Sequence, residues 1–115
     1  MNKNTKKSGF ARTIIFPSKG GYTAVCLDFN IIEEGEDREE LEKSIKEAVV
    51  GYIENACKNN LDDNLLNRHA DKKYWKMYEL YLEMMRNKTK KPVSPSIRKS
   101  SLFTFPINSG CECYA

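Results

Sequence analysis

The sequence predicts a small α+β protein, in which an antiparallel sheet of three to four strands carries one helix packed on a face. Three observations lead to this fold class. Two β-rich segments flank the turn residues Gly20 and Gly21, a long amphipathic segment begins near Asp37, and a further helical segment precedes a last short strand. The predicted order is therefore β-β-β-α-β, with the additional helical segment before the final strand.

Length and composition limit the protein to one domain. The chain has 115 residues, of which 40% are hydrophobic and 30% are charged, and this suits a single modest core. We expect a disordered basic N-terminus over residues 1–8, one domain over residues 9–107 and a loose tail over residues 108–115. The basic start is not followed by the apolar stretch of a secretion signal, and no segment approaches the roughly 18 apolar residues of a membrane span. We therefore expect a cytoplasmic protein.

The first strands form a predicted hairpin. Residues 10–16 are rich in aromatic and β-branched side chains, and the turn Ser18–Gly21 leads into a second strand over residues 22–29. Apolar residues lie on both faces of this second strand, which predicts a central place in the sheet. Residues 30–34 then form either a third strand or an edge segment.

The long helix is the most clearly marked element. Asp37 has the side chain of an N-cap, and Glu40 lies three residues later, as in a capping box. Apolar residues then recur at spacings of three and four, so that one continuous stripe faces the core. The stripe consists of Leu41, Ile45, Ala48, Val49, Tyr52, Ile53 and Ala56.

The second half of the chain predicts a helical insertion and a late strand. The insertion covers about residues 62–87, and its main helix carries a stripe of tyrosine and methionine that predicts packing on the sheet or on another helix, with a protein interface as the alternative. The Pro-, Ser- and Lys-containing residues 88–101 are typical of a linker. The pattern of residues 102–107 predicts a strand that Pro106 confines to a sheet edge or a strand end.

Charge is strongly segregated along the chain. Residues 31–63 carry four basic and eleven acidic residues, a net charge of −7, whereas residues 64–101 carry ten basic and three acidic residues, a net charge of +7. This pattern predicts one acidic and one basic surface. The alternative is a set of ordinary solvated helix faces with basic tails.

Patterns for catalysis are weak, and we assign no catalytic residue, metal ligand or cofactor. His69, the only histidine, lies in a polar run without a nucleophile motif, and Gly20-Gly21 precedes a strand and not a phosphate-binding helix. Asp28 is the only acidic residue inside a predicted strand, which leaves a residual nuclease as the weakest hypothesis.

The four cysteines predict different roles. Cys26 and Cys57 suit small core positions, and a disulfide framework is not expected without a secretion signal. Cys111 and Cys113 favour a frayed tail, with a metal or redox pair as the alternative.

An ordered set of short motifs resembles the HicB-like antitoxin family over roughly residues 10–56. The motifs are Gly21-Tyr22-Thr23-Ala24-Val25-Cys26, Glu34-Gly35-Glu36-Asp37, Glu39-Glu40-Leu41 and Ala48-Val49-Val50-Gly51-Tyr52-Ile53-Glu54. The resemblance implies a reduced ribonuclease-H-like sheet, no catalysis, and a partner that is a small basic toxin acting on messenger RNA. The region after Asn59 has no recognisable DNA-binding motif.

Two functional hypotheses follow. The first is a non-enzymatic binding protein, an antitoxin whose acidic helix surface faces a small basic toxin through Glu39, Glu42, Glu47 and Glu54. The alternative is a nucleic-acid-binding accessory protein that uses the basic second half, with phosphate contacts from Arg68, Lys72, Lys73 and Lys76. A homo-oligomer is expected under either hypothesis, because a small sheet leaves an exposed edge.

Overall fold

The computed structural model describes residues 3–86 and 101–107, and within them it confirms the α+β class. The predicted linker from residue 88 onward and the tail from residue 108 onward fall almost wholly outside the described residues. In chain order the elements are β1 (Phe10–Ser18), β2 (Gly21–Cys26), β3 (Ile31–Gly35), α1 (Arg38–Lys58), a short 3-10 helix (Asp63–Leu66), α2 (Lys72–Arg86) and β4 (Ser101–Pro106).

The described strands form one antiparallel sheet in the order β3-β2-β1-β4. Residues 31–35 form a true third strand, which settles the alternative that the sequence left open. β2 is central, as predicted, and β4 lies at an edge with Phe10 opposite Pro106. The β2 strand is shorter than predicted, because the chain turns after Cys26 and Asn30 adopts a φ of 58°.

One face of the sheet packs on α1 and forms the larger core. Asp37 caps the helix as predicted, since its side chain accepts hydrogen bonds from the backbone N–H groups of Glu39 and Glu40 at 2.9 and 3.1 Å. The helix stripe meets inward-facing residues of β1 and β2. The buried members of this cluster include Ala11, Ile15, Ala24, Cys26, Leu41, Ile45, Val49, Ile53 and Ala56.

The opposite face of the sheet packs on α2, so the sheet lies between two helices. Ile14, Val25 and Leu27 are buried there, and the first half of α2 covers them. The α2 side chains in this cluster are Tyr74, Trp75, Met77 and Tyr78. No residue of α2 is fully buried, so the contact is less complete than that of α1.

The start of the chain differs from the disorder predicted for residues 1–8. Residues 3–8 are held against the domain, because the Asn4 side chain is buried and hydrogen-bonds the backbone of Phe10 and Leu66. Lys6 adds an ion pair with Asp63 at 2.7 Å. The polar sequence of this segment predicts disorder because the contacts that order it are not local. They come from Asp63 and Leu66, which lie far along the chain.

A buried carboxylate links the sheet to the turn after β2. Asp28 is 1% exposed. It accepts hydrogen bonds from the backbone N–H of Arg12 at 2.7 Å and from the Nε and Nη2 of the same residue at 3.1 and 2.7 Å. The Arg12 guanidinium in turn lies 5.1 Å from the centre of the Trp75 ring on α2. The ion pair therefore joins β1, the β2–β3 turn and α2.

Replacing Asp28 with asparagine is expected to destabilise the fold strongly. The Asp28→Asn variant would keep the side-chain shape but leave the half-buried Arg12 guanidinium without its counter-charge, and breaking such a pair costs about 3 kcal/mol of unfolding free energy. Urea denaturation measures the loss. The matched control is Glu42→Gln, which breaks a surface ion pair with Lys46 and should change stability by less than about 0.5 kcal/mol. Equal losses in the two variants would contradict this role for Asp28.

Candidate functional site

Acidic residues concentrate where β3 meets the start of α1. Residues 33–42, which we call the acidic end, contain seven acidic residues and one arginine, a net charge of −6. The rest of α1, residues 43–58, contains three lysines and two glutamates, a net charge of +1. The negative charge of the region is therefore a local feature of one end of the domain.

The geometry of β3 spreads these carboxylates over two sides of the sheet. Successive strand residues point to opposite faces, so Glu33 faces α1, where it accepts a hydrogen bond from Ser44 Oγ at 2.6 Å. Glu34 is exposed on the other face, and Glu36 is exposed in the turn before α1. Together with the exposed Glu39 these side chains give this end of the domain an acidic rim, and no three of them are arranged to hold a metal ion.

The four glutamates proposed for partner binding do not share one surface. Glu39 and Glu42 belong to the acidic end, and Glu42 pairs with Lys46 at 3.4 Å. Glu47 and Glu54 are exposed farther along α1, where they line a shallow groove. At about 100° of rotation per helical residue, Glu42 and Glu47 point about 140° apart. Glu39, by contrast, points only about 80° from Glu47 and about 60° from Glu54, so these three side chains are separated mainly along the helix axis.

The basic residues proposed for nucleic-acid binding are also divided. Arg68 lies beside the Tyr52 hydroxyl of α1: burial raises the pKa of Tyr52, and the nearby guanidinium opposes that rise. Lys72, Lys73 and Lys76 are exposed on α2, which covers the opposite face of the sheet. The structure therefore brings the three lysines together and leaves Arg68 apart from them.

The aromatic residues beside these lysines are already engaged within the domain. Lys73 Nζ lies 5.0 Å from the centre of the Tyr74 ring. Trp75 contacts Arg12 on its face and meets Tyr78 and His69 edge-on at centroid distances of 6.1 and 5.5 Å. Trp75 is therefore a packing residue of α2 and offers little free ring surface for stacking on a base.

Sequence reasoning missed the most strongly ordered charged pair of the domain. It noted Asp28 only as a strand carboxylate, and it gave Arg12 no role. The available signal was an arginine in the middle of an otherwise apolar strand, which in this structure faces a buried acid. Asp28 lies in the turn after β2, bound by Arg12, which is a structural position and not that of an exposed nuclease carboxylate.

Groups able to hold a metal do not assemble in the described part of the chain. Across residues 3–86 and 101–107, no cluster of three or more histidine, cysteine, aspartate or glutamate side chains has suitable geometry. Cys111 and Cys113, the alternative metal or redox pair, lie outside the described residues. No helix within the same ranges is long and apolar enough to cross a membrane.

The two described cysteines differ in chemical state. Cys26 is a free thiol at a fully buried position of β2, as predicted, and burial raises its pKa from an ordinary value of 9.0 to about 11. A thiol with such a pKa is protonated at neutral pH and is a poor nucleophile. Cys57 is half-buried near the end of α1 and is disulfide-bonded, which departs from its predicted role as a simple core thiol.

We expect Cys26 to resist alkylation in the folded protein. Its thiol is buried and protonated, so iodoacetamide at neutral pH should modify it far more slowly in the native state than in concentrated guanidinium chloride. Mass spectrometry of the peptide that contains Cys26 measures the modified fraction without interference from the other cysteines. Equal labelling rates in the two states would contradict the buried position.

Cys26 should also make stability fall at alkaline pH. Its folded pKa lies above its unfolded value, so its contribution is fully present below pH 9.0 and is lost as the pH rises toward about 11. The full loss is about 3 kcal/mol for a shift of about two pKa units. A Cys26→Ala variant should show a shallower decline in unfolding free energy over this range, and an identical slope would refute the assignment.

The chain was also compared with known proteins. Neither models of protein families, nor curated proteins, nor solved structures give a match. The resemblance to HicB-like antitoxins therefore stays a prediction from the sequence motifs. Any function must be argued from the surfaces and contacts of the described residues.

Proposed function

We propose that this chain is a non-catalytic binding protein that holds a basic partner protein at the acidic end. The observation that supports the proposal is the concentration of a net charge of −6 within residues 33–42, on an edge strand and the first turn of a helix. The resemblance to HicB-like antitoxins implies a small basic toxin that acts on messenger RNA as the partner, and we propose that role for the chain.

The arrangement of the carboxylates favours a protein partner over a metal ion. Glu33 and Glu34 point to opposite faces of β3, and Glu36 and Glu39 extend the charge around the start of α1. A metal ion needs ligands that converge on one point, whereas an extended acidic rim attracts a basic surface and speeds its association.

The free edge of β3 adds a backbone recognition element. Within the described residues β3 pairs only with β2, so its other edge presents hydrogen-bonding groups to a partner strand. Ile32 is 46% exposed on this strand and offers an apolar contact next to Glu33 and Glu34. An extended basic segment of the partner fits this combination.

The same edge disfavours a second copy of the chain. Pairing two β3 strands antiparallel places Glu33 or Glu34 opposite another glutamate when the strands overlap well, and like charges directly opposite are destabilising. The β4 strand, Ser101–Pro106, contains no charged residue. A homo-oligomer therefore suits the β4 edge, and a basic partner suits the β3 edge.

Nucleic-acid binding is the second candidate and rests on Lys72, Lys73 and Lys76. Three exposed lysines on one helix can neutralise phosphates, but Arg68 lies elsewhere and Trp75 is already packed against Arg12. This candidate requires an oligonucleotide affinity that falls steeply with salt, and loss of that affinity when the three lysines are replaced with alanine.

Charge reversal at the acidic end should weaken partner binding. The proposal requires that the neighbouring gene encode a small basic protein, which is the probe, and calorimetry measures its affinity for the wild-type chain and for two double variants. Glu34→Lys with Glu39→Lys should weaken binding by at least about tenfold, because it replaces attraction with repulsion. The matched control is Glu47→Lys with Glu54→Lys, which makes the same charge change farther along α1 and should stay within about twofold.

Two results would overturn the proposal. Equal weakening by the two double variants would show that total charge, and not the acidic end, controls binding. A wild-type chain that neither binds the neighbouring basic protein nor suppresses its RNA cleavage would remove the antitoxin role itself.

A further inference from the structure

A cavity of about 590 Å³ lies on the α2 side of the sheet. Its walls come from the N-terminal segment, from Phe10 and Arg12 of β1, from Thr104 of β4 and from Tyr78 of α2. The volume is in the range of small-molecule sites. The cavity borders the β1–β4 side of the sheet, whereas the acidic end lies at β3, so the two sites are separate.

The N-terminal wall of the cavity is fixed by a buried amide. Asn4 is 3% exposed, and its Nδ2 donates to the carbonyl oxygens of Phe10 and Leu66, both at 3.0 Å. Its backbone N–H donates to Asn67 Oδ1 at 2.7 Å, and its carbonyl accepts from Asn67 Nδ2 at 2.9 Å. Gly9 has a φ of 118°, and any larger side chain there would collide with Asn4. The wall is therefore already in place before a ligand binds.

The lining contains two basic side chains, Lys3 and Arg12, and Asp28 outside the lining balances the charge of Arg12. Lys3 and Arg12 line the cavity, and no acidic residue among the described ones does. Asp28, outside the lining, accepts hydrogen bonds from the Nε and Nη2 of Arg12. The N–H groups of Arg12 Nη1 have no hydrogen-bond partner among the described residues. Lys3 is exposed and likewise has no partner within the described part of the chain. The charge of Lys3 and the free Nη1 donors of Arg12 therefore favour an anionic group in the cavity.

Two aromatic rings and three hydroxyl groups complete the lining. Phe10 is 53% exposed, although it is a large apolar side chain. Tyr78 is half-buried, burial raises the pKa of its hydroxyl, and this neutral hydroxyl can donate a hydrogen bond. Ser8 and Thr104 add hydroxyl groups. Such a lining suits a flat ring that carries polar substituents.

We propose that this cavity binds a small organic anion of mononucleotide size, with its phosphate at Lys3 and Arg12 and its ring against Phe10 and Tyr78. The same chemistry is presented by a free mononucleotide and by the phosphorylated end of a nucleic-acid strand. Neither the acidic end nor its partner takes part in this binding.

The single tryptophan of the chain provides a direct readout. Trp75 lies 5.1 Å from the Arg12 guanidinium and 6.1 Å from the Tyr78 ring, so a ligand on these two residues should change its fluorescence. The probes are AMP, GMP, CMP and UMP, with calorimetry as an independent measure of affinity. Uridine lacks the charge and inorganic phosphate lacks the ring, so each should bind at least about tenfold more weakly than UMP.

Single substitutions in the lining test whether the nucleotide binds in the cavity. Lys3→Ala should weaken nucleotide binding by at least about tenfold, whereas Lys7→Ala removes the same charge from an exposed position outside the lining and should leave it within about twofold. Phe10→Ala should weaken binding through loss of the ring contact. Because Lys3 is exposed, its variant folds normally and keeps the test decisive if Phe10→Ala is unstable.

Other outcomes are equally clear. Absence of heat and of a fluorescence change with all four mononucleotides overturns the proposal, as does equal weakening by Lys3→Ala and Lys7→Ala. Phosphate that binds as tightly as UMP indicates an adventitious ion only and also overturns it.

A 5′-phosphorylated oligonucleotide that binds more tightly than UMP, with the same dependence on Lys3, supports the site and identifies the strand end as the source of the ligand. Glu34→Lys with Glu39→Lys should leave nucleotide affinity unchanged, so this test is independent of the partner-binding proposal.

Discussion

The ion pair between Arg12 and Asp28 is the interaction on which the α2 side of the structure depends. The carboxylate is almost fully buried and accepts three hydrogen bonds from one residue. The same turn is fixed by the Leu27 N–H bonded to the Arg12 carbonyl at 2.7 Å and by the Ala70 N–H bonded to the Leu27 carbonyl at 2.8 Å. A buried charge is tolerated only with such complete pairing. The pair thereby holds the turn after β2, the approach to α2 and the guanidinium that lines the cavity in one arrangement.

Elements set by local patterns were predictable, and contacts between distant residues were not. The cap at Asp37 and the apolar stripe of α1 depend on residues three and four apart, so the sequence displays them directly. Asn4 and Leu66 are 62 residues apart, and no periodicity links them. Arg12 and Asp28 each look like a solvent-facing polar residue of a strand when read alone. Their pairing becomes visible only when the sheet places both on the side covered by α2.

The charge distribution shows a similar limit for the candidate site. The net charges of successive segments correctly separate the acidic from the basic part of the chain. They do not show toward which side of the fold each charged side chain points. The rotation of the helix sends Glu47 away from Glu42, and Arg68 turns toward Tyr52 while the lysines that follow it lie on α2. The acidic end is a continuous run of the sequence that spans the end of β3 and the start of α1, where the dipole of the helix also favours negative charge. The direction of each side chain on its helix therefore decides which members of an acidic or basic segment share a surface.

The two helices differ in how firmly they are attached, and this difference connects the fold to the cavity. α1 buries a continuous stripe, whereas α2 has no fully buried residue, and the indole N–H of Trp75 is buried without a hydrogen-bond partner among the described residues. Elements with few buried contacts open at lower free energy than the rest of a domain. A ligand held between Arg12 of β1 and Tyr78 of α2 binds only when the helix is docked, so by mass action it stabilises the weaker attachment. Occupancy of the cavity and docking of α2 are therefore coupled through the same arginine that Asp28 holds in place.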